Sequence, residues 1–315
     1  MLGKKQPQMS FGDLELDQRL SKEHFLRQID EKIDWRPLEE PLKALYHPRL
    51  GRPSHPPLVL FKALLLQRWY DLSDPGLEEA IRDRLSFLRF LGLSLDDPVP
   101  DETVICRFRL ALGKTGLVER LFILLEAQLE ALGVLIRQGT LIDATLVKSH
   151  SRPTTPGRPS QDTDAAWVRQ GKKYVFGYKA HVAVDQGSGL VRRLELRPAN
   201  VPETLVFETI LPGDEAAVFA DKAYDQRARR AKLRGRGIFC GILARPSKRP
   251  LSLRQKLRNR LWGRVRQAVE RVFGTWKWHY GLARLPYVGL KRNLCHLWLV
   301  GLCYNLKKML VLQRA

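Results

Sequence analysis

Three acidic residues stand out by where they fall. Asp143 closes the apolar run Leu141-Ile142, Asp221 closes the run Ala216 to Ala220, and Glu270 lies on a long helical stretch. Two strand ends and a helix can aim carboxylates into one cleft. Carboxylate oxygens suit hard divalent cations, which keep waters and substrate phosphates as their other ligands. Two such ions about 4 Å apart activate an attacking oxygen and stabilise a leaving one in an in-line displacement. Phosphodiester chemistry asks for neutralised charge and positioning more than for a protein nucleophile. Each acid also has a plainer reading: a turn former or cap for either aspartate, and an i,i+4 partner of Arg266 for Glu270.

The elements that must position these acids are legible in outline. From about Lys256 to His279, Leu257, Leu261, Val265, Val269, Val272 and Trp276 form one apolar helical stripe. Arg266, Glu270 and Lys277 share another face of that helix. Between the aspartates, Tyr174 to Asp185 alternates, and Gly187-Ser188-Gly189 returns it as a second strand through Leu196, predicting a β-hairpin. His181 on that hairpin suits a satisfied structural histidine better than a metal or DNA contact. A polar loop, expected to be mobile, spans Ser149 to Asp164. The first third predicts helices: Leu14 to Ile33, Leu58 to Tyr70, one capped by Ser73-Asp74-Pro75 and running to about Leu93, one from Asp101 to Gly113, and Leu117 to Leu132. A proline-rich connection fills Pro48 to Pro57. Carrying Arg82, Arg84, Arg107 and Arg109, these helices suit either a helix-turn-helix DNA reader or a bundle that only packs on the rest.

Composition narrows the partner. The 315 residues carry 54 Lys and Arg against 33 Asp and Glu, a formal charge of +21. Self-repulsion on that scale is relieved by a polyanion, and nucleic acid is the usual one. Between Lys222 and Val269 stand 16 Lys or Arg and one acid, Asp225. A solvated charged face mixes both signs, so this block predicts phosphate contacts. Cys106, Cys240, Cys295 and Cys303 lie far apart, which argues against a zinc site or a disulfide framework and suits a reducing cytoplasm. Met1 to Ser10 has no apolar core for a secretory signal. Polar residues interrupt Leu294 to Leu312, which predicts a buried helix and no membrane contact. There is no Gly-rich phosphate loop, so no nucleotide cofactor is expected.

Several short motifs occur in one order: Pro100-Asp101-Glu102-Thr103 leading to Arg107-Phe108-Arg109, Leu141-Ile142-Asp143-Ala144-Thr145, Phe176-Gly177-Tyr178-Lys179, Ala220-Asp221-Lys222-Ala223-Tyr224-Asp225, and Arg266-x-x-x-Glu270-Arg271-x-Phe273-Gly274 closed by Lys277. The tail from Tyr280-Gly281-Leu282 to Asn305-Leu306 completes the series. In these motifs the chain resembles bacterial insertion-sequence transposases of the DDE type, in the large group that includes the IS-five family. The resemblance implies an α/β fold: a ribonuclease H-like mixed sheet flanked by helices over residues 136–315, preceded by an all-helical domain over 1–135 that is a candidate for binding end DNA. It implies Asp143, Asp221 and Glu270 as catalytic ligands of two Mg²⁺ ions, with Mn²⁺ as a substitute. Arg266, Lys277 and Lys222 carry over as DNA contacts. The implied partners are double-stranded DNA, as inverted repeats and target, and a second copy in a homodimeric synaptic complex, in the bacterial cytoplasm. The group's third motif begins with a tyrosine where this chain has Gly263, so a role for that hydroxyl is missing. Two other functions fit the same residues: a ribonuclease H-like nuclease that cuts without rejoining, and a non-catalytic DNA-binding protein. Trp276 belongs to the apolar stripe, Trp278 is open to base stacking, and Tyr224 suits packing as well as DNA contact.

Overall fold

A computed structural model describes residues 19–46, 54–151, 153, 159–246 and 250–314. They form two compact units. One comprises the chain up to Ala131 together with Trp298 onward; the other is Leu132–Leu297.

The first unit is helical: α1 (Phe25–Lys32), α2 (Arg36–Lys43), α3 (Pro57–Trp69), α4 (Asp74–Asp83), α5 (Leu85–Leu91), α6 (Glu102–Thr115) and α7 (Leu117–Ala131). The start of the expected helix from Leu14, and most of the Pro48 to Pro57 connection, lie outside the described residues. Helix α1 begins only at Phe25, where extended His24 accepts the Leu26 N–H on its ring at 3.3 Å. Helix α4 starts as Ser73-Asp74-Pro75 requires, with Ser73 Oγ accepting from Gly76 N at 3.1 Å. It does not run on to Leu93. Arg84 is extended (φ −105°, ψ 110°) and lays its guanidinium 5.3 Å and 5.1 Å from the Tyr70 and Phe87 ring centres, so the chain restarts as α5. Gly113 does not end α6 either; it stays helical, and Gly116 makes the left-handed exit (φ 67°).

Helix α3 is buried on nearly every side, which explains a run with no polar face. Within it Lys62 is buried and therefore needs partners. It reaches Asp30 at 2.5 Å and the Phe90 carbonyl at 3.0 Å. Arg109 is likewise turned inward, gripping Asp74 with both terminal nitrogens at 2.6 Å. Trp298 packs on Phe122 with ring centres 4.8 Å apart, and Trp69 donates to the Cys303 carbonyl at 3.0 Å, so the chain's last residues complete this unit's core.

The second unit holds a six-stranded sheet: β1 (Thr140–Lys148), β2 (Ala166–Gln170), β3 (Lys173–Asp185), β4 (Val191–Pro198), β5 (Ala217–Ala220) and β6 (Phe239–Cys240). Strand β1 is central, antiparallel to β3 and parallel to β5; β4 continues the hairpin from β3, and β6 runs parallel to β5. The expected hairpin is present, with the Gly187-Ser188-Gly189 turn fixed by Asp185, which accepts from Ser188 N at 2.8 Å and Ser188 Oγ at 2.7 Å. Helices α8 (Arg227–Gly235), α9 (Leu253–His279) and α10 (Leu290–Leu312) flank it in sequence, and α10 carries on into the first unit. No described helix is long and apolar enough to cross a membrane. A core of Ile142, Ala183, Val206, Phe207, Val218, Ala220, Tyr224 and Leu233 covers one sheet face. Gly177 has to be glycine: a Cβ there would meet the Val147 carbonyl oxygen at 2.1 Å. Its neighbour Tyr178 donates to buried Asp162 at 2.5 Å, and Asp162 also accepts from Ser149 Oγ at 2.5 Å and Gly289 N at 3.1 Å. That hub pins the far end of the loop expected to be mobile; residues 154–158 of the loop lie outside the described residues.

His181 departs from expectation. It is wholly buried, opposite Ala144 of β1 and Glu195 of β4, yet neither ring nitrogen has a hydrogen-bond partner among the described residues. Burial, then the nearby Lys179 and Arg197 charges, push its pKa down to about 4. A histidine held neutral gives stability that is fully present above its ordinary value of 6.5 and is lost as pH falls through the folded value. The span is worth ~3 kcal/mol. Melting temperature should therefore drop between pH 6.5 and about 4, and His181→Leu should flatten that drop. An acid limb unchanged in the variant overturns this account.

Candidate active site

Parallel pairing between β1 and β5 ends at Ile142 opposite Ala220. The next residues along the two strands are Asp143 and Asp221, so both acids stand where the parallel strands part. Asp221 does sit at a strand end, followed by a 3₁₀ turn, Lys222–Tyr224. Asp143 does not: β1 runs five residues beyond it, because β3 continues to pair with Ala144 through Lys148.

Helix α9 packs across β1 and β5. Ser252 and Gln255 form a reciprocal capping box at its start. From its buried side Arg266 reaches both aspartates, Nη2 to Asp143 Oδ2 at 2.8 Å and Nη1 to Asp221 Oδ1 at 3.4 Å. Asp143 also accepts from Ala144 N at 2.9 Å. Burial raises the Asp143 pKa above the ordinary carboxylate value, against the lowering effect of Arg266 and the Ala144 N–H; Asp221 and Glu203 raise it further.

Glu270 lies one helical turn past Arg266 and is exposed. It makes no hydrogen bond or ion pair among the described residues, and no three Asp, Glu, His or Cys side chains there are close enough to share a metal ion. The structure thus brings together Asp143, Asp221 and Arg266, and does not bring Glu270, one turn along α9 from Arg266, into that cluster. The guanidinium lies where two carboxylates need positive charge, which is the requirement a divalent cation would also meet, so the two aspartates, though not the full trio, fit such an ion. Lys222 and Lys277 are both exposed.

Other expectations divide. Trp276 is in the core as its stripe position requires, and Trp278 is 87% exposed. The stripe is buried only in its second half: Val269 and Val272 are covered, whereas Leu257 and Leu261 are exposed. Tyr224 is packed against Phe207 at 5.7 Å and fully buried, which removes it from DNA. Its hydroxyl has no hydrogen-bond partner among the described residues. Sequence reasoning missed Glu203, which pairs with Lys179 at 3.7 Å and bears electrostatically on Asp143 and Tyr224. Only its nearness to Lys179, one residue of the Phe176-Gly177-Tyr178-Lys179 motif, gives a sign of it, and that nearness exists only in the fold.

A mixed sheet in which β1 lies between β3 and β5, with β2 and β4 both on β3, flanked by helices, is the ribonuclease H-like α/β arrangement that the resemblance implied. Residues 14–110 match a transposase domain (DUF772), and residues 135–306 match a transposase DDE domain. The chain belongs to the DDE transposases of insertion sequences, enzymes that cut DNA and transfer its strands. Divalent-metal dependence and action on DNA go with that family. Among solved structures it is similar to a piggyBac transposase synaptic complex with hairpin DNA, at 11% identity and a TM-score of 0.46 over 95% of this chain and 75% of that one. It is also similar to the Mos1 strand transfer complex, at 13% identity and a TM-score of 0.20 over 84% and 81%. Membership rests on the sequence match, not on these likenesses.

Proposed function

We propose that Asp143, Asp221 and Glu270 are the catalytic carboxylates of this transposase and that they hold two Mg²⁺ ions, with Mn²⁺ as a substitute. The observation that carries the proposal is the single guanidinium of Arg266 bonded to both aspartates, 123 and 45 residues away in sequence, at the parting of two parallel strands. When bound, the ions lower the cost of charge on the attacking and leaving oxygens of the phosphodiester. The chain's own part is to position. The rigid sheet fixes the two aspartates, and α9 sets Arg266 on them, with Glu270 one helical turn further along. Lys277 and Lys222 neutralise strand phosphates beside the cut, whereas Arg266, expected there too, is buried and committed to the two aspartates. Water opens the element's boundary first, and the freed 3′-hydroxyl then attacks target DNA in the same site.

The substrate is the inverted repeat at each end of the element, with target DNA as the second partner. Two copies of the chain pair the ends in a synaptic complex, in the bacterial cytoplasm at the nucleoid. Residues 1–135 bind end DNA and residues 136–315 carry the chemistry. The exposed Arg107 on α6 is the candidate reader, since Arg109 is committed to Asp74.

Glu270→Gln tests the proposal most sharply. The variant should lose metal-dependent cutting of an end duplex and joining of a pre-cut end with a free 3′-hydroxyl, while binding in EDTA persists. A variant that still cuts removes Glu270 from the site. A wild type that cuts but never joins the pre-cut end is a nuclease instead, and one that only binds is a non-catalytic DNA-binding protein.

A further inference from the structure

Four residues beyond Asp221 the surface is concave. Asp225, Arg227, Arg230, Arg245 and Pro246 line a depression of about 560 Å³. Its floor is built. Asp225 accepts from Arg230 Nε at 2.6 Å and from the backbone N–H of Arg245 at 2.8 Å, while Arg230 Nη2 donates to the Ile242 carbonyl at 2.8 Å. These bonds tie α8 to the segment after β6 and neutralise the one carboxylate present. Arg227 and Arg245 are exposed on the rim, and neither guanidinium has a partner among the described residues. Two uncommitted guanidinium groups over a neutralised floor match the geometry and charge of a phosphodiester, which arginine can grip with two parallel N–H bonds.

We propose that this depression seats one backbone phosphate of the bound DNA, held by Arg227 and Arg245 and shaped by the Asp225–Arg230 pair. It rests on DNA being the substrate, as above, and it adds a location. Arg227 follows Asp221 by six residues, at most ~22 Å of chain, and strand phosphates follow one another every ~3.4 Å of axis, so the seated phosphate lies within about one helical turn of DNA of Asp221. Lys232 and Arg236, on and just past the same helix, are different: both are paired, with Glu208 at 2.6 Å and Glu215 at 3.9 Å.

The test is a salt series of binding by the full-length protein to a 30-base-pair duplex of arbitrary sequence, in EDTA so that no metal chemistry intervenes. For Arg227→Ala/Arg245→Ala, the slope of log affinity against log salt should fall by about one unit, as for one lost phosphate contact. Lys232→Ala/Arg236→Ala removes the same charge and should leave the slope near wild type. Equal slopes in wild type and the rim variant, or equal losses in the two double variants, overturn the seat. Inorganic phosphate added at constant ionic strength should not displace the duplex; displacement would show a site for free phosphate and overturn a backbone seat. Asp143→Asn should keep the wild-type slope, so failure of the seat is separable from failure of the carboxylate site.

Discussion

Asp143→Asn should abolish cutting, with a loss on the order of a thousandfold, the scale of a preorganised electrostatic contact, and it should do so without lowering the melting temperature. The second half is the discriminating one. Burial favours the protonated form of Asp143 in the fold. The sign follows: a carboxyl whose pKa is raised on folding gives stability below its ordinary value, and that stability is lost as pH rises through the folded value. At neutral pH the ionised group is therefore a cost that the fold tolerates. Asparagine keeps the shape and can still accept from one of Ala144 N and Arg266, it removes the buried charge, and Asp221 remains 3.4 Å from Arg266 as its counter-charge. Cleavage measured beside a thermal melt decides it. An inactive variant that has also unfolded would make Asp143 a structural residue, and an active one would remove it from the chemistry.

Arg266→Ala should have the opposite profile in stability. The Arg266 side chain is 10% exposed and faces Asp143 at 18% and Asp221 at 35%. Removing one member of a buried ion pair leaves the other uncompensated, at a cost of about 3 kcal/mol. For a unit of this size that is a fall of about 6–12 °C in melting temperature. Divalent cation should then restore part of the loss, because an ion that binds only the folded state stabilises it by mass action, and the variant has the more demanding pair of acids. The shift on adding Mg²⁺ should be larger in Arg266→Ala than in wild type, and Asp143→Asn in the same background should relieve the instability. If Mg²⁺ moves both proteins equally, the guanidinium is not standing where a cation is wanted.

Much of the site was legible because its parts obey local rules. The apolar run before Asp221 is a short strand and the one before Asp143 opens a nine-residue strand, and the stripe through Val269, Val272 and Trp276 does seat α9 on the sheet. Tertiary geometry supplied the rest. Nothing local tells that Arg266 turns toward the aspartates and Glu270 toward solvent, since both share one helix face by spacing. Nor does periodicity show that Leu257 and Leu261 find no cover, because a stripe records which side is apolar and not whether anything lies against it. Arg84 broke an expected helix for two aromatic rings that lie 14 residues behind it and three ahead. Glu203 reaches the site from a turn with no sequence signature, brought in by the hairpin that precedes it.

The chain's closing helix belongs to both units, its first turns to one and the rest to the other. The catalytic segment is in effect spliced into the helical one, whose hydrophobic interior is finished only when Trp298, Cys303 and Met309 have been made. No single cut can therefore release two self-sufficient fragments: a piece ending at Ala131 lacks the partner of Phe122 and bares the apolar flank of α3 and α7. During synthesis the same dependence leaves the core of the helical unit open until α10 has been made.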